Sequence, residues 1–185
     1  MKKLFTVAAV PLILLAQQAC STPLDVAHSQ IGFTLTQMNS PMDGQFKRFS
    51  GDAVLDAKNP GAGHADITIS TASISLPTPA AKAQAENSDW FNVARYPTAR
   101  FVTSSIKPLG ANRYQVSGTL SLKGQNHGVS APFTISRKGA LTLVEGVMPI
   151  SRLAFKIGEG EWTDTDTVAD TVQIKFSIAI PNSSK

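Results

Sequence analysis

The sequence predicts an all-β fold, an eight-stranded antiparallel barrel with one short helical insertion, and three observations predict it. Toward the C-terminus, Val168, Val172, Ile174, Phe176, Ile178 and Ile180 fall on one parity while Gln173, Lys175 and Ser177 fall on the other. That period of two marks a strand with one apolar face and one wet face. The same alternation returns in segment after segment, with little helix between. About eight such segments, set apart by turn residues, suit a closed wall whose interior is packed solid or holds one small ligand. A sandwich is the alternative that periodicity leaves open.

The first residues stand apart from that wall. Lys2 and Lys3 precede an apolar run from Leu4 to Leu15, and small and polar residues follow to Thr22. This is the layout of an export signal, too short to span a bilayer permanently. Residues 1–21 are therefore read as the signal and residues 22–185 as one domain, of a size that supports a single core. Cys20, the only cysteine, has two readings. It is lipidated, as a cysteine just past such a run is in bacterial lipoproteins, or it is lost by cleavage after Ser21, since Ala19 and Ser21 make a small-x-small site. Neither reading leaves a disulfide within the chain.

In order along the domain, Ile31, Phe33 and Leu35 alternate with Gly32, Thr34 and Thr36 in a first strand over 25–37. Asn39 to Gly44 reads as a turn, and Gln45 to Asp56 as a second strand with a bulge at Gly51. Asn59, Pro60, Gly61 and Gly63 break the chain before Ile67, Ile69, Ile74 and Leu76 resume the pattern. Ala80 to Asn87 is rich in helix formers and supplies the one helix. Strands follow over Arg100–Lys107 and Ala111–Lys123, the latter with Tyr114, Val116, Leu120 and Leu122 inward. Val129–Ile135, Leu141–Ile150 and the C-terminal strand complete the wall.

Composition narrows the function. The formal charge of +4 falls to +2 without Lys2 and Lys3, and the remaining cations are scattered, which argues against nucleic acid. Phe occurs nine times against two Trp and two Tyr, and Phe, lacking a polar handle, suits a greasy interior. His28, His64 and His127 lie far apart with no second ligand at metal spacing. His64, among glycines, reads as an exposed loop residue, and His28 as a residue that caps or orients a strand start. No Gly-x-Ser-x-Gly is present. Glu159, Glu161, Asp164, Asp166 and Asp170 lack the ordered ligands of a calcium loop and read as a solvated loop at the barrel mouth. The sequence therefore predicts no enzyme, no metal and no catalytic residue.

Five motifs run in order through the domain: His28-Ser29 before Phe33; Gly44-x-Phe46-x-x-Phe49-x-Gly51; Asp89-Trp90-Phe91-Asn92-Val93 followed by Tyr96-Pro97-x-Ala99-x-Phe101; Gly118-x-Leu120-x-Leu122-Lys123-Gly124; and Arg152-x-x-Phe155-x-Ile157-Gly158. Together they resemble the YceI-like family of exported bacterial proteins. The resemblance implies a lipocalin-like barrel with a long interior cavity that binds polyisoprenoid chains, such as isoprenoid quinones or prenyl phosphates. The chain departs from the family pattern at Lys82 to Asn87, where a more charged segment ending in His-Leu is usual.

The expected ligand-binding residues are a pocket lining of Phe33, Phe46, Phe49, Trp90, Phe91, Phe101, Phe133, Arg152, Phe155, Trp162 and Phe176, with Arg152 and Lys123 as candidates for a head group, an ordinary surface salt bridge being the alternative for each of these two. For any single Phe, ordinary core is the alternative. The expected function is storage, shielding or transport of a long isoprenoid lipid or quinone in the periplasm, with no required cofactor. Lipidated Cys20 would add a membrane tether. The alternative is an envelope interaction module with a ligand-free interior, acting on a partner such as a membrane cytochrome as a monomer or dimer.

Overall fold

A computed structural model describes residues 21–55 and 59–182. Cys20 and all of the expected export signal except Ser21 lie outside the described residues. The described strands form one antiparallel sheet: β1 (Thr22–Pro23), β2 (Gln30–Gln37), β3 (Ser40–Phe46), β4 (Phe49–Val54), β5 (His64–Ser70), β6 (Ile74–Ser75), β7 (Thr98–Gly110), β8 (Arg113–Leu122), β9 (Gln125–Lys138), β10 (Leu141–Ser151) and β11 (Thr171–Pro181). One α-helix, α1 (Pro79–Glu86), lies between β6 and β7.

The strand order is β1-β4-β5-β7-β8-β9-β10-β11-β2-β3-β6. Strands β3 and β4 stand near opposite ends of that order, yet only Lys47 and Arg48 separate them in sequence. A chain that short forces the sheet to curl round on itself. Hydrogen bonds fasten the junction: Lys47 N–H donates to the Ser73 carbonyl (3.1 Å) and Ser70 N–H to the Arg48 carbonyl (2.9 Å). Near the N-terminus, Leu24 N–H reaches the Gly51 carbonyl of β4 (3.1 Å) and Asp25 N–H the Ala179 carbonyl of β11 (2.9 Å), so one short stretch ties two flanks of the curl together.

The all-β barrel class holds, with eleven strands where eight were expected. Two of the additions, β1 and β6, are two-residue strands. The third is β3, which occupies the stretch read as a turn. The turn is Met38-Asn39, both residues with positive φ (47° and 60°), and it pairs Gln37 with Ser40. This is a two-residue hairpin of the kind whose twist matches the strands. The sequence signal was hidden because Met occupies a place that usually carries Asn, Asp or Gly. Gly51 is not a bulge either, since the β4–β5 register runs through it without a shift. A Cβ there would lie 2.9 Å from Ile67 Cα and overlap the Asp66 carbonyl, so the glycine permits close approach of the two strands. The register shifts occur instead in β7–β8, at Thr103/Ser105 and Pro108/Gly110.

Met38 is 71% exposed, so its side chain gains little from packing while its backbone sits in the left-handed region. Met38→Asn is expected to raise stability by about 1 kcal/mol, read as a higher denaturant midpoint at unchanged slope. Unchanged or lowered stability would show that the turn carries no strain.

Candidate functional site

Each long strand presents its apolar parity to the inside, but the inside is not uniform along the barrel axis. On β10, Val144 and Met148 line a cavity, while Ile150 and, just past the strand's end, Arg152, on the same parity, lie below it. On β8, Val116 and Leu120 line it and Leu122 is below; on β2, Ile31 lines it and Phe33 and Leu35 are below. On β11 the lining runs from Ile174 to Ile180, about 20 Å along the strand. The mouth opens at Val54 and Leu55 at the end of β4, His64 at the start of β5, Ile106 in the outer part of β7 and Ile180 near the end of β11. The bore is therefore blind, open at the end carrying the β7–β8 and β9–β10 turns and closed at the end carrying α1.

This bore is narrow and greasy. Space open to the centre of a water-sized sphere is ≈ 130 Å³, within ≈ 880 Å³ of atom-free space that includes the open mouth. Of the lining residues only His64 and Thr103 carry polar side chains, and Thr103 Oγ1 already accepts from Ala65 N–H (3.1 Å). Two rings are kept out of the lumen by glycines on neighbouring strands. A Cβ on Gly118 would lie 2.6 Å from the Phe101 ring, and one on Gly146 2.6 Å from the Phe176 ring. Both aromatics thus lie against the wall, and the space beside them stays open.

Of the expected lining, the structure brings Phe101, Phe133 and Phe176 to the bore. Phe33, Phe46 and Phe91 instead form a chain of rings beside it, with centroids 5.6 and 5.8 Å apart. Phe49 packs against the cluster of Leu24, Ile31 and Ala53. Most of the true lining is aliphatic and was not singled out from the sequence: Ile67 and Ile69 on β5, Ile106 on β7, Val144 on β10, Ile174 and Ile178 on β11. Their signal was present in strand parity, but parity carries no information on depth.

Trp90, Arg152, Phe155 and Trp162 form the floor. Phe155 is buried in the core, with His127 edge-on to its ring at 4.9 Å. The Trp90 and Trp162 rings meet at 5.7 Å and 63°. Gln84 of α1, its amide oxygen assigned toward the indoles, accepts from Trp90 Nε1 (3.2 Å) and Trp162 Nε1 (3.1 Å). The helix that departs from the family pattern therefore seals the closed end.

Arg152 is 1% exposed and spends every donor on backbone carbonyls. Nε donates to Ala169 (3.1 Å), Nη1 to Ile157 (2.9 Å) and Gly158 (3.1 Å), and Nη2 to Trp162 (2.6 Å) and Val168 (2.7 Å). Burial pushes its pKa below the ordinary value, while nearby Asp170 pushes it up; a guanidinium remains charged. Asp170 is held in turn, accepting from Ser151 Oγ (2.9 Å) and Leu153 N–H (3.0 Å). Lys123 is also buried, with Nζ donating to the Lys156 carbonyl (2.6 Å) and Glu159 (3.0 Å). Neither cation has a donor directed at the bore, which corrects the head-group expectation for both.

His28 stacks its Nδ1 on the Asp25 carboxylate (2.9 Å), whose pKa the contact lowers, and Ser29 Oγ accepts from Ala179 N–H (2.8 Å), which orients the start of β2. His64 is exposed, as expected, but it opens β5 and lines the mouth instead of lying in a loop. Residues 159–170 lie over the floor rather than at the mouth, with Asp164 bonded to Thr167 Oγ1 (2.7 Å). Among the described residues no group of three or more His, Cys, Asp or Glu could hold a metal, and no helix is long and apolar enough to cross a membrane.

Comparison with known proteins places this architecture. Residues 23–180 match the YceI-like domain. Protein YceI of Escherichia coli O157:H7 is 31% identical over 112 residues, 60% of this chain and 56% of that protein. A UPF0312 protein of Photorhabdus laumondii is 33% identical over 98 residues, 52% of this chain and 50% of that protein. The aligned region thus spans about half the length of these curated relatives. The crystal structure of Burkholderia cenocepacia BcnA superposes with a TM-score of 0.82 at 42% identity, covering 84% of this chain and 98% of that one. A polyisoprenoid binding domain from Saccharophagus degradans shares the fold, with a TM-score of 0.69 at 18% identity, covering 87% and 98%.

Removing the Arg152 guanidinium would leave five carbonyls without their donor in a buried floor. Arg152→Met is expected to cost about 3 kcal/mol or more in unfolding free energy, with Arg152→Lys intermediate because an ammonium has only three donors. A loss below about 1 kcal/mol for Arg152→Met would show that water replaces the guanidinium.

Proposed function

The chain belongs to the YceI-like family, and from that premise we propose that it binds one long apolar chain, an isoprenoid lipid or quinone, in the blind bore. The observation that carries this is the bore itself: an apolar channel, open at one end, with lumen-facing glycines that hold Phe101 and Phe176 flat against the wall. The description of the Saccharophagus degradans domain as polyisoprenoid binding supports the ligand class. The almost wholly apolar lining of the bore supports the reading as a binder.

Energetics favour long chains. At about 0.8 kcal/mol per buried CH₂, fifteen prenyl carbons yield on the order of 10 kcal/mol, against association costs of about 4–15 kcal/mol. Short chains do not overcome that cost and longer ones do. With its tail held inside the barrel, the lipid can be stored, shielded or carried through the aqueous periplasm. The N-terminal residues Lys2 to Thr22 carry the export reading, and intact mass of the mature protein distinguishes a lipidated, membrane-tethered Cys20 from a discarded one. The open bore favours ligand binding over the interaction-module reading, which calls for a filled interior.

Protein purified from its native envelope and extracted with organic solvent is expected to release a prenyl lipid near one equivalent by mass spectrometry. No such lipid, together with no binding of added quinone, would overturn the proposal. Ala65, half-buried near the mouth, offers a second test. Ala65→Phe is expected to weaken binding of a long prenyl quinone by about tenfold or more while the melting temperature shifts by only a few degrees. Unchanged affinity in a folded variant would place the ligand elsewhere.

A further inference from the structure

We propose that the mouth end of the barrel docks on an anionic lipid bilayer, with the tips of the β7–β8 and β9–β10 hairpins as its footing. Lys107 and Arg113 flank the first tip, and Arg137 and Lys138 lead into the second. The tips are close: β8 pairs with β9 from Arg113↔Thr134 onward, and Ile135 N–H donates to the Asn112 carbonyl (3.3 Å). All four cations are exposed, and none takes part in an ion pair among the described residues. No acidic residue occurs between Ser104 and Gly118 or between Thr134 and Val144. Asp25, in the adjoining N-terminal turn, keeps its carboxylate charge while hydrogen-bonded to His28 Nδ1 (2.9 Å).

At the opposite end, seven of the chain's thirteen acidic residues lie on α1, in the loop just after it, and over 159–170, against five cations there (Lys82, Arg95, Lys123, Arg152 and Lys156), so the sealed floor carries a net charge of 5 − 7 = −2. The barrel is thus electrically polar along its axis, and an anionic surface would turn the mouth toward itself. At the first tip Leu109 is 49% exposed, between Lys107 and Arg113. An apolar side chain flanked by cations suits a headgroup boundary, where the chain enters and the charges stay at the surface. A bilayer also fits the bore, because a tail leaving the mouth would pass straight into hydrocarbon without crossing water. That last point rests on the ligand reading above; the charge arrangement does not.

The test is flotation of the full chain, stripped of lipid, with vesicles of phosphatidylcholine alone or with about one-third phosphatidylglycerol. Binding is expected to be at least tenfold stronger to the anionic vesicles and to weaken as NaCl rises from about 0.1 to 1 M. The triple variant Lys107→Glu, Arg113→Glu, Lys138→Glu should lose that difference, whereas Lys156→Glu at the sealed end should keep it. Equal binding to both vesicle types, or a triple variant that binds like the parent, would overturn the docking proposal. Capture by immobilised polyglutamate without anionic-vesicle binding would also overturn it, in favour of an acidic protein. Because the protein carries no lipid, these outcomes read docking alone, while quinone binding in vesicle-free solution reads the bore.

Discussion

Arg152 is the side chain on which the interior arrangement depends. After β10 the chain leaves regular strand and crosses the barrel end in short 3₁₀ turns before β11. Such a crossing turns several backbone carbonyls inward, where water does not reach them, and each needs a donor. One guanidinium supplies five, to Ile157, Gly158, Trp162, Val168 and Ala169. Fixing those five carbonyls fixes the whole crossing. The cost of burying the charge is offset by the converging carbonyl dipoles and by Asp170, which lies close enough to raise the Arg152 pKa.

A floor built in that way lets the rest of the interior stay partly open. In a barrel of this size, side chains can fill the inside completely. Here the bulk is distributed unevenly: Trp90, Phe155 and Trp162 occupy the closed end, while Ile, Val and Ala dominate the other. Gly118 and Gly146 extend that distribution by giving Phe101 and Phe176 a surface to lie on. Stability is concentrated at one end and space at the other, which is how a small single core can hold both a robust fold and a channel. Four exposed cations, without an ion pair among the described residues, stand at the open end.

The fold was largely legible from alternation, and the helix from its composition, because both depend on local sequence. The turn at Met38-Asn39 was not, since its left-handed backbone is imposed by the pairing of β2 with β3 against the preference of Met. The site was legible only in part. Alternation tells which face a residue shares, and of the rings expected on the resemblance Phe101, Phe133 and Phe176 face the bore. It cannot tell how far along the axis a residue sits, because depth depends on register and curl across the sheet. Phe155 and Trp90 therefore looked equivalent to Phe176 although they lie below the space. Arg152 did carry a sign that was available: it falls on the apolar parity of Val144, Met148 and Ile150, a place where a surface arginine would not be found.

The most direct measurement is a crystal structure of the protein loaded with a prenyl quinone whose tail carries a bromine at a known carbon. The bromine's anomalous signal should fall within the bore, among Ile67, Val144 and Ile178, with the tail end stopping above Leu122 and Phe155. A signal on the outer face of the sheet, or one beneath the Arg152 crossing, would contradict a blind channel that takes its guest through the mouth.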